Sequence, residues 1–467
     1  MRTLIRGGRV VTAADVYDGD VLIDGESVVA TGTGLDGADE VIDATGCLVL
    51  PGLVDNHTHL SMPFGGTVSC DDYDTGTAAA AAGGTTCIVD FAIQTDGSLL
   101  EGLRQWQGRA EGAAHIDYGF HLAVTDASES ALAEMEQAVA EGVTSFKCFM
   151  AYKGAIMVTD DQLLSVLQQA GRTGGLVMVH AENGDAVDLY QREAIAAGDT
   201  APRFHATTRP PEVEGEATGR AIRLAHWAGQ PLFVVHVTCE EAVREIQAAR
   251  DRGEPVFGET CIQYLFLTVD ELARPGFEGA KYVCSPPLRE ARHRDILYAA
   301  LRQGALQGIS TDHCPFNFEG QKELGKDDFR LIPNGMPVIE FRLSLLYDRA
   351  VRTGKLSLTE LVRLTSAEPA RIFGLAPRKG TIAPGADADI VIFDPEKPLA
   401  ISAATHHMNI DYDPFEGWEV RGAPRTVLAR GDVVVADGEV VSKPGRGRYV
   451  KRALFDPAAT VPALATV

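Results

Sequence analysis

Between Pro51 and about Ala370 the chain keeps returning to one pattern, a short apolar run followed by a stretch of helix formers. The runs include Thr86-Cys87-Ile88-Val89-Asp90-Phe91, Ser145-Phe146-Lys147-Cys148-Phe149, Leu176-Val177-Met178-Val179-His180 and Leu232-Phe233-Val234-Val235-His236. Ser130 to Glu141 and Glu240 to Arg252 are two of the helical segments between them. A strand with one wet face alternates apolar and polar residues. These runs are apolar almost throughout, which demands burial on both faces, as in a parallel sheet covered by its crossover helices. Over a span of this length the leading expectation is an α/β fold of the (β/α)8 (TIM) barrel type. A doubly wound sheet is the alternative, but no Gly-x-Gly-x-x-Gly turn opens a helix after an early strand.

The two ends read differently. Residues 1–50 carry short β-rich runs such as Leu4-Ile5, Arg9-Val10-Val11, Val21-Leu22-Ile23 and Val28-Val29-Ala30, with Asp24-Gly25 as a hairpin signal. Asp389 to Asp394, Arg425 to Ala429 and Asp432 to Val435 repeat the pattern near the other end. The expectation is a small β-sandwich domain built from residues 1–50 and 376–445, flanking a barrel over 51–375. An extension at 446–467 follows, and its Lys451 to Val467 part, without periodicity, is expected to be disordered or to pack on a neighbouring subunit.

Composition narrows the partners. A net charge of −23 repels nucleic acid and anionic lipid, so neither is an expected partner. No stretch approaches the roughly 18 uninterrupted apolar residues of a membrane span, and the start lacks the apolar run of a secretory signal. The eight cysteines form no Cys-x-x-Cys pair and read as reduced core residues, which points to the cytoplasm.

The chemistry is concentrated at the ends of the apolar runs. In Asp55-Asn56-His57-Thr58-His59 the two histidines stand at i and i+2, so a strand turns both to one side, where they can grip one ion. Two satisfied core histidines explain such a pair equally well. His180 and His236, however, end two further apolar runs, and Asp312 follows Gly308-Ile309-Ser310-Thr311. One polar residue after an apolar run only marks where a strand reaches water. Five of ligand type at carboxyl ends, which converge on one face of a barrel, suggest a metal site. Lys147, inside Ser145-Phe146-Lys147-Cys148-Phe149, is costly to bury as an unpaired ammonium. It either snorkels to the strand end or, desolvated, becomes a neutral amine that captures carbon dioxide as a bridging carbamate.

Longer strings then carry a resemblance. They are Met62-Pro63-Phe64-Gly65-Gly66-Thr67, Met150-Ala151-Tyr152-Lys153, His180-Ala181-Glu182-Asn183-Gly184-Asp185 and Thr208-Arg209-Pro210-Pro211. Gly258-Glu259-Thr260-Cys261, Cys284-Ser285-Pro286-Pro287-Leu288-Arg289, Asp312-His313-Cys314-Pro315-Phe316-Asn317-Phe318, Ile332-Pro333-Asn334-Gly335 and His406-His407-Met408-Asn409 continue them in order. With Pro51-Gly52 before the histidine pair, the chain resembles the amidohydrolase superfamily, and within it the dihydropyrimidinase/D-hydantoinase branch of cyclic amidohydrolases. Asn56 and Ile262 depart from the branch, which often has proline at both places, and neither departure removes a ligand.

The resemblance implies a homotetrameric hydrolase acting on a small cyclic amide, a dihydropyrimidine or a 5-substituted hydantoin, and releasing an N-carbamoyl amino acid. It implies two divalent cations, zinc with manganese or cobalt as substitutes, and a hydroxide shared between them as nucleophile. His57, His59 and Asp312 would hold the more buried metal, His180 and His236 the second, and carboxylated Lys147 would bridge. Asp312 would carry the proton and Tyr152 would donate to the oxyanion. Ser285 and Asn334 would pair with the imide edge, with Met62, Phe64 and Phe149 as the apolar wall. Two rivals remain at this point, an allantoinase-type ureide hydrolase and a non-catalytic scaffold of the same fold. The scaffold relatives lack the metal ligands, and this chain has all six.

Overall fold

The structure, a computed structural model, describes residues 1–456. Eight parallel strands form the central barrel: β1 (Leu53–Thr58), β2 (Thr85–Ile93), β3 (Asp117–Ala123), β4 (Ser145–Phe149), β5 (Leu176–His180), β6 (Leu232–Val234), β7 (Val256–Cys261) and β8 (Gly308–Ser310). They pair in sequence order, each with the next. The ring closes where Thr58 bridges His313 and the His59 N–H donates to the His313 carbonyl at 2.8 Å. Every residue of seven of the strands is buried, and in β2 only Ile93 is partly exposed, which is why they read as unbroken apolar runs.

Amphipathic helices fill the crossovers. Glu129–Ala140 buries Ala131, Met135 and Ala138, and Ser128 caps it by accepting from the Ala131 N–H. Asp160–Thr173 buries Leu163, Val166, Leu167 and Ala170 and ends on Gly174 at φ 78°, the left-handed conformation a helix stop favours. The two helices expected at Ser130 to Glu141 and Glu240 to Arg252 appear at Glu129–Ala140 and Glu240–Asp251.

Both terminal regions enter one nine-stranded sheet. Leu48–Pro51 is the seam, parallel to Arg2–Val11 on one side and antiparallel to Ile390–Ala400 on the other. Its alternation separates two cores. Val49, Ile390 and Ile392 join Ile5, Val10, Val21 and Ile23 in a core belonging to the sheet alone. Leu48, Leu50, Val391 and Phe393 face the other way and merge with the large core of the barrel.

The segment after the sheet packs on this chain's own barrel rather than away from it. The Val450 N–H donates to the Tyr118 carbonyl at 2.8 Å, and the buried Arg452 guanidinium donates to Phe373 and Phe120 carbonyls and to Ser145 Oγ. The remainder of the expected extension, 457–467, lies outside the described residues. Among the described residues no helix is long and apolar enough to cross a membrane.

Candidate active site

The carboxyl ends of the barrel strands bring the predicted residues together. His57 lies near the end of β1, and His59 just beyond it. Their Nε2 atoms stand 3.1 and 3.0 Å from the same Asp312 Oδ1. Lys147, in the middle of β4, places Nζ 3.3 Å from His57 Nε2. His180 closes β5, and its Nδ1 stands 2.8 Å from His236 Nε2. One tight cavity of about 40 Å3 is lined by His59, Lys147, His180, His236 and Asp312, and also by Tyr152, Ser285, Asn334, Met62, Phe64 and Phe149. Every predicted site residue except His57 therefore faces this cavity, and His57 lies buried against the cluster.

The strand ends are bent to achieve this. β6 stops at Val234, two residues short of the expected run, because the backbone turns at His236 with φ 40°. Asp312 and Tyr152 also sit at positive φ, 51° and 66°. Such backbone costs roughly 1–3 kcal/mol per residue outside glycine and persists where the surroundings hold it. Here it turns ligand-type and phenolic side chains inward.

Two carboxylates unassigned by the sequence reading orient the histidines. Glu259 Oε1, on β7, lies 2.6 Å from His57 Nδ1, and its other oxygen accepts from the Asn56 amide. Glu182 Oε2 lies 2.7 Å from His180 Nε2 and accepts Arg209 Nη1, also at 2.7 Å. A carboxylate on one ring nitrogen fixes the proton there and leaves a lone pair on the other. The free lone pairs, His57 Nε2 and His180 Nδ1, both point into the cluster. His57 Nε2 then faces the Asp312 carboxylate, lone pair against anion, an arrangement that a divalent cation between them relieves. The donor set, imidazole nitrogen with carboxylate oxygen, suits a borderline divalent cation. The residues fit a metal centre. His57, His59 and Asp312 already have ligand atoms within 4.8 Å of one another.

Burial sets the electrostatics. It pulls the Lys147 amine down to about 8, partly countered by Asp312 and Glu259. Nζ lies 4.5 Å from the Phe91 ring centre and 5.1 Å from that of Phe149, a site with little to solvate a full charge beyond the faces of those rings. Burial likewise lowers His59 to about 4, so its ring is neutral and available as a ligand. The Tyr152 hydroxyl is pushed up to about 12 by burial, against Arg209 and hydrogen bonds involving Ser285 and Asn334. It stays protonated at neutral pH, with the Phe64 ring edge-on at 5.3 Å. A wider cavity of about 430 Å3 adjoins this one, sharing Met62, Phe64, Tyr152 and Asn334 and adding Ile156, Val187 and Ile332.

Fold and site together define a (β/α)8 barrel with a histidine- and carboxylate-lined centre at the carboxyl ends of its strands. The Amidohydrolase family profile matches residues 48–434. The D-hydantoinase of Streptomyces coelicolor is 55% identical over 97% of this chain and 98% of its own length. The D-hydantoinase of Geobacillus stearothermophilus is 52% identical over 97% of each. The crystal structure of the dihydropyrimidinase from Brevibacillus agri superposes with a TM-score of 0.96 at 56% identity, covering 98% of this chain and 100% of that one. The chain belongs to the amidohydrolase family, in its hydantoinase and dihydropyrimidinase branch, and the family implies a divalent metal centre.

Proposed function

We propose that this chain hydrolyses the ring amide bond of dihydropyrimidines or 5-substituted hydantoins, giving N-carbamoyl amino acids. The observation that carries the reading is the convergence in one cavity of the ligand cluster with Tyr152, Ser285 and Asn334. His57, His59 and Asp312 would hold one divalent cation, His180 and His236 a second, and Lys147, as a carbamate, would supply an anionic ligand to the pair. Zinc is the native ion on this reading, with manganese or cobalt able to replace it. The lowered Lys147 amine supports the carbamate: neutral nitrogen adds to carbon dioxide, and one proton leaves to solvent.

Bound there, the cations supply Lewis acidity and a water acidic enough to ionise near neutral pH. The chain's own residues do the rest. Asp312 takes up the proton lost as water adds to the ring carbonyl carbon. The same carboxyl oxygen passes it to the departing ring nitrogen. Tyr152 donates its hydroxyl to the carbonyl oxygen as negative charge builds there. Ser285 and Asn334 pair with the alternating N–H and C=O groups of the ring, and Met62, Phe64 and Phe149 exclude water around it. Substituents on the ring extend into the wider cavity.

A panel of dihydrouracil, 5-substituted hydantoins and allantoin, given to the zinc-loaded protein, tests this. Ring opening of the first two in preference to allantoin is expected, whereas a preference for allantoin replaces the substrate assignment. Eight unpaired cysteines support a reducing, cytoplasmic setting, and the assembly on this reading is a homotetramer, expected on sedimentation of the pure protein.

A further inference from the structure

Lys322 is a fully buried lysine outside the metal cluster. Its Nζ donates to three backbone carbonyls, those of Val283 at 2.9 Å, Pro333 at 2.7 Å and Gly335 at 2.8 Å. No carboxylate forms an ion pair with it among the described residues. Three acceptors and no donor surround the nitrogen, so the cradle favours the ammonium, with its three N–H groups, although burial pulls the amine down to about 7. A buried charge held in this way is expensive, and an apolar side chain of the same length would fill the space without that cost. What the charge does is join two separate loops. Val283 lies two residues before Ser285, and Pro333 and Gly335 bracket Asn334.

The same junction is tightened from other directions. The Gly335 N–H donates to the Val283 carbonyl at 3.0 Å, so that oxygen takes both the ammonium and the opposite loop. Gly335 sits at φ +149°, and a Cβ there would lie 2.1 Å from the Cys314 carbonyl oxygen, which leaves the loop no room to shift inward. The Lys322 N–H is tied in turn to the Asn317 carbonyl at 2.9 Å, anchoring the clamp to the segment that follows Asp312.

We propose that Lys322 is a positioning residue for substrate recognition: its ammonium fixes the 283–285 and 333–335 loops in the register that turns Ser285 and Asn334 into the cavity. The inference rests on the reading that Ser285 and Asn334 pair with the substrate ring. Lys322 touches no substrate and acts through the backbone of those two loops.

The test compares the metal-loaded wild-type protein with Lys322→Met and Lys322→Gln, the latter keeping two of the three donors. The expected result for Lys322→Met is a KM for dihydrouracil raised roughly tenfold or more, with a smaller change in kcat and full metal content. Amide hydrogen exchange should quicken in 283–285 and 334–336 and stay unchanged in β1 and β5. Lys322→Gln should fall between the two. Should Lys322→Met fail to fold, Lys322→Gln decides by the same readouts. A KM within twofold of wild type, or unchanged exchange in both loops, overturns the proposal. A wild-type protein that opens no cyclic amide sinks the functional reading instead, and the exchange comparison still judges the clamp.

Discussion

At Lys147 burial and function pull against each other. An ammonium kept for structure would be cradled by acceptors, as Lys322 is by three backbone carbonyls. Lys147 has instead two aromatic faces and the Nε2 of His57. Lys147→Ala is expected to lose the bridging anion, and with it bound metal and turnover together. Short carboxylic acids added to the variant should restore part of both, and elemental analysis alongside rates reads the outcome. Full activity with two metals retained would remove the carbamate. Tyr152 makes a contrasting case, since its hydroxyl remains protonated far above neutral pH. Tyr152→Phe should lower kcat by about 100-fold or more, as removal of one oxyanion donor does, while metal content stays whole. A variant that turns over at the wild-type rate would take Tyr152 out of that role.

At the scale of elements, the strands were legible because burial on both faces leaves a plain mark, an apolar run with one polar residue at its end. That mark pointed to His180, His236 and Asp312, and the i, i+2 spacing to His57 and His59. It could not locate Glu182, Glu259 or Arg209, since a buried carboxylate is recognisable only by its partner, and for Glu259 that partner, His57, lies 202 residues away. Nor did it show that β6 ends early, because the turn at His236 is a matter of one φ angle and not of composition. Helix packing leaves a subtler mark in glycine. The helix Leu99–Ala110 lies so close to β2 that a Cβ on Gly102 would stand 2.1 Å from the Ile93 carbonyl oxygen. Gly102→Ala gains helix propensity, but the helix must move off the strand, and overpacking of this kind costs about 1–3 kcal/mol. A lowered melting temperature with near-normal activity per folded molecule is expected; a raised one would show that the contact yields.

On the scale of the whole molecule, the barrel and terminal sheet are riveted at one buried charge cluster. Asp117, at the first residue of β3, takes Lys379 Nζ at 2.7 Å, Arg430 Nε at 3.0 Å and the Arg448 N–H at 3.0 Å. Lys379 also reaches Asp389 at 2.8 Å and Asp387 at 3.0 Å. One carboxylate thus gathers the barrel floor, the sheet and the C-terminal segment. Burial alone would raise the Asp117 carboxyl, but Lys379 and Arg430 outweigh it and hold the value below the ordinary 3.8. A depressed carboxylate adds stability that is fully present above the unfolded value, near pH ~4, and is lost as pH falls through the folded one. Asp117→Asn leaves Lys379 to Asp389 and Asp387 and Arg430 to Glu26, so a loss of about 1–3 kcal/mol is expected at pH 7, that of charged hydrogen bonds rather than of a buried charge left unpaired. The same variant should lose less stability than wild type on acidification below pH ~4, because the group that titrates there is gone. Urea unfolding between pH 3 and 7 separates the two effects. Parallel acid limbs in both proteins would mean that other carboxylates, and not this rivet, govern how the two domains part.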